Sequence, residues 1–190
     1  MKNIPAGIEG CIFIQNSQFK DERGSFRETF SKERLSFICK HEFVQDNVSI
    51  SHKNVLRGMH IQTGDSVQGK LVTCLKGRLI DLVVDIRKDS LTYGKTITVL
   101  LHEPNMSLFV PRGCLHGFIS LEDDTIMHYK CDNYYSKEHE VSYDPLSLPE
   151  NIFIQIEQGF NIGIDDLIIN SKDRTGKMIY TNEGILSSFI

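Results

Sequence analysis

Seven histidines stand in this 190-residue chain, at positions 41, 52, 60, 102, 116, 128 and 139. Imidazole takes and returns protons near neutrality, and it is a common metal ligand. Two of the seven are set apart by context. His60 closes the run Arg57-Gly58-Met59-His60, where a glycine lets the chain bend tightly beside a guanidinium. His116 closes Pro111-Arg112-Gly113-Cys114-Leu115-His116, where Pro111 and Gly113 shape a turn before the chain re-enters a strand. The two histidines either share a pocket or each satisfies a local hydrogen bond. A metal site is a third option. Metal-binding jelly rolls commonly place a His-x-His pair on one strand; the matching triplet here is His60-Ile61-Gln62, with no Glu shortly after it, which argues against a metal.

Other residues could serve the same chemistry. Tyr129 and Tyr135 bracket the polar run Lys130-Cys131-Asp132-Asn133-Tyr134. A strand tyrosine packs half-buried, or points its phenol into a polar cavity as a general acid. Lys70 opens a strand directly after Gly69, as a solvated strand end or as a cation aimed at a site. Asp173, in Ser171-Lys172-Asp173-Arg174, either caps a turn or orients an imidazole from across the fold.

The elements that must position these groups are mostly short strands. Residues 11–14 (CIFI) read as a first strand, and FKDERGSFRETF as a turn at Asp21–Gly24 followed by another. Ser31 is placed to cap a short helix over 32–40, with Leu35, Phe37 and Ile38 supplying apolar contacts. KLVTCLKG and RLIDLVVDIR read as two strands joined at Lys76–Gly77, and KTITVLL, SLFVP, GFISL and TIMHYKC follow at sandwich or barrel spacing. Residues 145–190 are less regular; Pro145, Pro149 and SKDRTGK suggest a wrapping tail with one helical turn. The order, strands first and irregular tail last, points to an all-β antiparallel barrel or jelly roll.

The bulk properties narrow the classes. The length fits one domain, residues 1–190, and a 40% hydrophobic composition supplies an ordinary core. A formal net charge of −4 gives no reason to expect nucleic-acid or membrane partners. No apolar run approaches a membrane span and MKNIPAGIEG lacks a signal-peptide core, so a cytoplasmic protein is expected. Cys11, Cys39, Cys74, Cys114 and Cys131 are odd in number with no CxxC pair, and read as buried free thiols; Cys114, inside the second histidine motif, is the one exception to check.

Taken together, FKDERGSF, FVQDN, VLRGMHIQ, QGKLVTCLKG, VVDIRKDSLTYG, VPRGCLHGF and YKCDNYYSKEHE, in this order, resemble the dTDP-4-dehydrorhamnose 3,5-epimerase family. The resemblance runs from about Phe19 to Glu140 and resumes at Asn170–Asp173. It implies a cupin-type jelly roll, or double-stranded β-helix barrel, with a few short peripheral helices. It implies no cofactor and no metal, and a nucleotide diphosphate sugar with a ketone at C4, inverted at C3, C5 or both. By match to the family's motifs, His60 would be the base, Asp173 its partner, Tyr129 the acid on the opposite face, and Lys70 the cation near the C4 oxygen. Arg57, His116, Lys172, Gln45 and Asn47 would contact the substrate. Tyr135 would stack on the nucleotide base, with Glu140 nearby. Phe26 would belong to the substrate site, and Arg23 and Glu28 would reach the neighbouring subunit's site in a homodimer. Residues 1–50 would lie at that interface and 146–190 would wrap the domain.

The chemistry is consistent on its own terms. A proton α to a ketone leaves an enolate, which suits a base with a near-neutral pKa and a cation beside the C4 oxygen. Two segments depart from the family pattern. SLPENIFIQIEQGF stands where a tryptophan-rich run is usual, and Cys114-Leu115 stands where Phe-Ala is usual. Both are expected at the pocket wall, and they motivate a relative that inverts one carbon only, on a different sugar. The same fold could also serve a cupin that binds a nucleotide sugar without catalysis, or a metal-dependent cupin enzyme.

Overall fold

The computed structural model of the chain describes residues 1–181 and 184–185. In chain order the strands are β1 (Lys2–Pro5), β2 (Ile12–Gln15), β3 (Gln18–Asp21), β4 (Gly24–Arg27), β5 (Gln45–Ser51), β6 (Val55–Gln62) and β7 (Lys70–Lys76). They continue with β8 (Leu79–Asp85), β9 (Thr96–Leu101), β10 (Met106–Val110), β11 (Cys114–Ser120), β12 (Thr125–Cys131), β13 (Glu140–Ser142) and β14 (Ile168–Ile169). A last small ladder pairs Tyr180–Thr181 with Gly184–Ile185.

Two antiparallel sheets carry the fold. The first runs β1-β2-β10-β7-β12-β5, and the second β13-β6-β11-β8-β9, with β14 added parallel to β6. From β6 to β8, and again from β9 to β13, the chain passes from one sheet to the other. KLVTCLKG and RLIDLVVDIR, adjacent in sequence, therefore end in opposite sheets. The mostly β jelly roll expected from the strand spacing is present, and it is of the cupin type that the family resemblance implies. β3 and β4 form a separate hairpin about the Asp21–Gly24 turn.

The apolar pattern explains the layering. Val72, Cys74 and Leu108 of the first sheet meet Leu79, Val83 and Phe118 of the second in a core between the sheets. The alternate residues of the second sheet, among them Leu56, Ile80, Leu82 and Leu115, face outward and are covered by Leu148, Ile152, Phe153 and Ile156 of the tail. With both faces covered, β8 is buried at every position, which is why LIDLVVD reads as a continuous run and not as a period-two strand. A third cluster on the outside of the first sheet joins Ile14, Leu71 and Phe109 to Leu35.

Two local expectations need correction. Ser31 does cap a helix, but α1 covers only Lys32–Leu35. The hydroxyl of Ser36 turns back to the Glu33 carbonyl at 2.8 Å, and the following Phe-Ile-Cys run lacks strong helix formers. Leu35 is buried and Ile38 packs beside it, whereas Phe37 is 60% exposed and contributes no such contact. The tail holds more than one helical turn: α2 spans Glu150–Phe160 and α3 Ser171–Arg174. The spacing of Ile152, Phe153, Ile156 and Phe160 is helical and supplies the stripe that seals the second sheet. Among the described residues no helix is long and apolar enough to cross a membrane.

Candidate active site

β6 bends at its glycine. Gly58 has φ of +116°, and a Cβ there would sit 2.6 Å from the Cα of Gly117 on β11. Two glycines thus let β6 and β11 touch backbone to backbone at a register shift between His116 and Phe118. On one side of the shift His60 stands directly opposite His116; on the other Arg57 stands opposite Phe118.

The tail completes this corner. β14 runs alongside Val55 and Leu56, and the Asn170 side chain caps α3 by accepting from the Lys172 amide at 2.9 Å. That cap aims Asp173 at the bend. Its Oδ1 lies 2.6 Å from His60 Nε2, and its Oδ2 accepts from the Gly58 amide at 3.3 Å. Burial alone would raise the Asp173 carboxyl, but the hydrogen bond and charge of His60 and the Gly58 amide outweigh it and hold it below the usual range. The pair is lopsided in exposure: the Asp173 side chain is 6% exposed and that of His60 28%. A carboxylate accepts, so Nε2 carries the proton and Nδ1 is left as the basic nitrogen.

His116 repeats the arrangement one strand away. Its Nε2 lies 2.6 Å from Oδ1 of Asp81 on β8, but here both side chains are sealed, at 8% and 0% exposure. Asp81 is absent from the sequence reading: an aspartate inside RLIDLVVDIR signals nothing until the register of β8 against β11 is known.

The opposite wall comes from the first sheet. Tyr129 on β12 and Lys70 on β7 face the histidines across a cleft of about 560 Å³, which Arg57, Glu140, Lys172 and Asp173 also line. Burial pushes the Tyr129 phenol up and pulls the Lys70 ammonium down. A smaller cavity of about 210 Å³ shares His60, Lys70, Tyr129 and Glu140 and adds Gln45, Asn47 and Tyr135. Glu140 stands between the two. It accepts from Lys172 Nζ, and from the Tyr135 hydroxyl at 3.3 Å. Burial would raise its carboxyl, but Lys172 and His60 hold it low.

Arg23, Phe26 and Glu28 stand apart from both cavities. Arg23 and Phe26 line a surface hollow on the β3–β4 hairpin, where Arg23 folds back onto Asp21 at 2.6 Å, and Glu28 pairs with Arg34 at 3.4 Å. The sequence reading also missed part of the cleft wall, in particular Ser49, Val55, Phe118, Met127, Ile168 and Ile169. Ser49, Phe118 and Met127 lie two residues from Asn47, His116 and Tyr129 on the same strands, so period two was the available signal. Ile168 and Ile169 carried none, because β14 reaches the cleft only by pairing with β6.

The two departing segments are not in the wall. Residues 146–160 pack on the outer face of the second sheet, Leu115 faces that same layer, and Cys114 lies in the core between the sheets. Cys114 is 4% exposed and burial pushes its thiol up to about 12, so it is an inert core thiol. All five cysteines are free. The triplet His60-Ile61-Gln62 ends in a buried Gln62 whose Oε1 accepts from the Ser136 amide at 3.0 Å. Among the described residues no group of three or more His, Cys, Asp or Glu side chains is arranged to hold a metal ion.

Comparison with known proteins shows the family to which the chain belongs. The family model for dTDP-4-dehydrorhamnose 3,5-epimerase matches residues 5–180. The chain is 40% identical over 181 residues to the dTDP-4-dehydrorhamnose 3,5-epimerase of Methanothermobacter thermautotrophicus, covering 94% of this chain and 95% of that one. The crystal structure of the Elizabethkingia anophelis enzyme of the same name superposes with a TM-score of 0.81 at 37% identity, over 93% of this chain and 95% of that one. The dTDP-6-deoxy-D-glucose-3,5-epimerase of Legionella pneumophila, solved in complex with dTDP-4-keto-L-rhamnose, gives 0.81 at 34% identity over 93% and 92%. The chain belongs to the dTDP-4-dehydrorhamnose 3,5-epimerase family, a family of isomerases.

Proposed function

We propose that this chain inverts C3 and C5 of a dTDP-linked 4-keto-6-deoxyhexose through enolates, using its own side chains as the proton carriers. One observation carries the reading. His60, with Asp173 behind it, and Tyr129 come from opposite sheets and face one cleft, so a sugar ring lying between them has a base on one face and a phenol on the other.

Each step then has a residue. His60 Nδ1 removes the proton α to the ketone, and Asp173 fixes the tautomer that leaves this nitrogen free. Lys70 beside the C4 oxygen stabilises charge that exists only once the proton has left, so it lowers the barrier more than it tightens binding. Tyr129, kept protonated by burial, returns a proton to the other face. Arg57 and Lys172, exposed at the rim, suit the diphosphate. Gln45, Asn47 and Tyr135 in the adjoining cavity suit the nucleoside, and Tyr135, 50% exposed, offers a face for stacking.

A homodimer fits the remaining candidates. Phe19 and Phe26 are 66% and 71% exposed on a hairpin remote from this protomer's own cleft, which suits Arg23, Phe26 and Glu28 to a partner's site. Five free thiols fit a reducing, cytoplasmic setting. Inversion at a single carbon was motivated by segments that lie outside the cleft wall, and nothing in the wall favours it.

The test is proton NMR in D2O with a panel of dTDP-, GDP- and CDP-linked 4-keto-6-deoxy sugars. The reading requires deuterium at both C3 and C5 of the dTDP sugar, with formation of the inverted product. Exchange at one carbon, or at neither, overturns it.

A further inference from the structure

One buried carboxylate is left unused by this chemistry. Asp81 is fully buried on β8, and its side chain makes a single hydrogen bond: Oδ1 meets His116 Nε2 at 2.6 Å, while Oδ2 has no hydrogen-bond partner among the described residues. Removing a carboxylate from water for one bond costs stability, and an apolar side chain would serve a core position at least as well. Asp85, four residues along the same strand, shows what a stabilising buried aspartate looks like. Its two oxygens accept from Arg87 Nε and Nη2 at 2.8 Å each, from Ser90 at 2.5 Å and from Thr92 at 2.7 Å. Asp81 has none of these supports, and the one group it holds is a histidine in the cleft.

The position of that histidine decides what it meets. His116 and His60 are directly opposed across β6 and β11, so their Cβ atoms are about 5 Å apart on one face. Arg57 and Lys172 are exposed at the rim, whereas His116 is 7% exposed at the floor, where a bound nucleotide sugar would place its hexose and not its diphosphate. With Nε2–H given to Asp81, Nδ1 is left with its lone pair, and among the described residues it has no protein partner.

We propose that Asp81 is a positioning residue for the epimerisation: it holds His116 with Nε2–H turned into the core, so that Nδ1 accepts a hydrogen bond from a hydroxyl of the sugar beside the carbon that His60 deprotonates. This rests on the epimerase reading above. It assigns the two histidine–carboxylate pairs different tasks, proton transfer at His60 and orientation of the ring at His116.

The test combines kinetics with direct observation of the tautomer. Asp81→Asn keeps the shape but loses the charge that selects the N–H. It is expected to lower kcat/KM by about 10- to 100-fold, the range for loss of a carboxylate behind a functional histidine, with the Kd for dTDP unchanged. His116→Ala and the double variant are expected to match each other within about twofold, because Asp81 acts through His116 and the two losses do not add. Losses that multiply, or wild-type kcat/KM in Asp81→Asn, overturn the proposal. Nitrogen-15 NMR of the intact wild-type protein supplies the independent arm: the proposal requires the His116 proton on Nε2, and a proton on Nδ1 instead overturns it. That arm decides the matter if Asp81→Asn does not fold. It also separates the two readings, since wild-type protein that leaves every 4-keto sugar unchanged would sink the epimerase reading while the tautomer still tests Asp81.

Discussion

Two histidines sit side by side on neighbouring strands, each with Nε2 at 2.6 Å from an aspartate, and they differ in almost everything else. The His60 pair is assembled from far-apart pieces: β6 provides the ring and the tail helix α3 provides the carboxylate. It opens to the cleft and its aspartate has a second donor in the Gly58 amide. The His116 pair is built within one sheet, is sealed, and leaves one carboxylate oxygen without a partner among the described residues. A histidine–carboxylate distance therefore does not assign a base. What separates the two is that His60 opens to the cleft while His116 is sealed, and the function proposed above rests its choice of base on that difference.

Substitutions in and around the two pairs should differ widely in effect. His60→Asn keeps a polar side chain in the bend but no base, and it is expected to lower kcat by about 10²- to 10⁴-fold with little change in dTDP affinity by calorimetry. Ile156→Ala, on the outer face of the same sheet, is expected to cost about 2–5 kcal/mol in denaturant unfolding. Because that layer does not line the cleft, KM should stay at its wild-type value; a shifted KM would return residues 146–160 to the pocket wall. Asp173→Asn leaves His60 in place but frees its tautomer, and about a 10- to 100-fold loss of kcat with unchanged substrate affinity is expected in steady-state assays.

The smallest effect concerns Asp85, the buried aspartate with a full set of partners. Burial would raise its carboxyl, but Arg87, Ser90 and Thr92 bring it down to about 2. A carboxyl lower in the folded than in the unfolded chain adds stability that is complete above the unfolded value near 3.8 and is lost as pH falls toward the folded one. The size is about 2 kcal/mol. Urea midpoints of the wild type should drop over that window, and Asp85→Asn, lower at neutral pH, should show a flatter acid limb. Equal slopes for the two proteins would remove Asp85 from this role.

How much of this was legible follows from period and register. Strands with alternating or continuous apolar runs announced themselves, and so did the Ser31 cap and the Asp21–Gly24 hairpin. His60, Asp173 and Tyr129, the residues proposed as base, partner and acid, drew notice because they sit in motifs that resemble the family's, and the fold brings all three to one cleft. Asp81 was not, since only the pairing of β8 with β11 turns an aspartate in an apolar run toward a histidine. The tail was misjudged for the opposite reason: prolines and polar residues drew attention away from the helical spacing of Ile152, Phe153 and Ile156. Cys114 and Leu115 were expected at the pocket because they adjoin His116, but strand alternation sends Leu115 to the opposite face, and Cys114, on the same face as His116, packs into the core between the sheets and does not line the cleft.

If His60 and Tyr129 carry protons on opposite faces of one sugar ring, C3 and C5 of dTDP-4-keto-6-deoxyglucose followed in D2O under single-turnover conditions will separate the wild type, His60→Asn and Tyr129→Phe. Exchange with inversion is expected in the wild type, no exchange in His60→Asn, and exchange that outpaces inversion in Tyr129→Phe. Exchange at the wild-type rate in His60→Asn, or full inversion in Tyr129→Phe, would contradict that assignment.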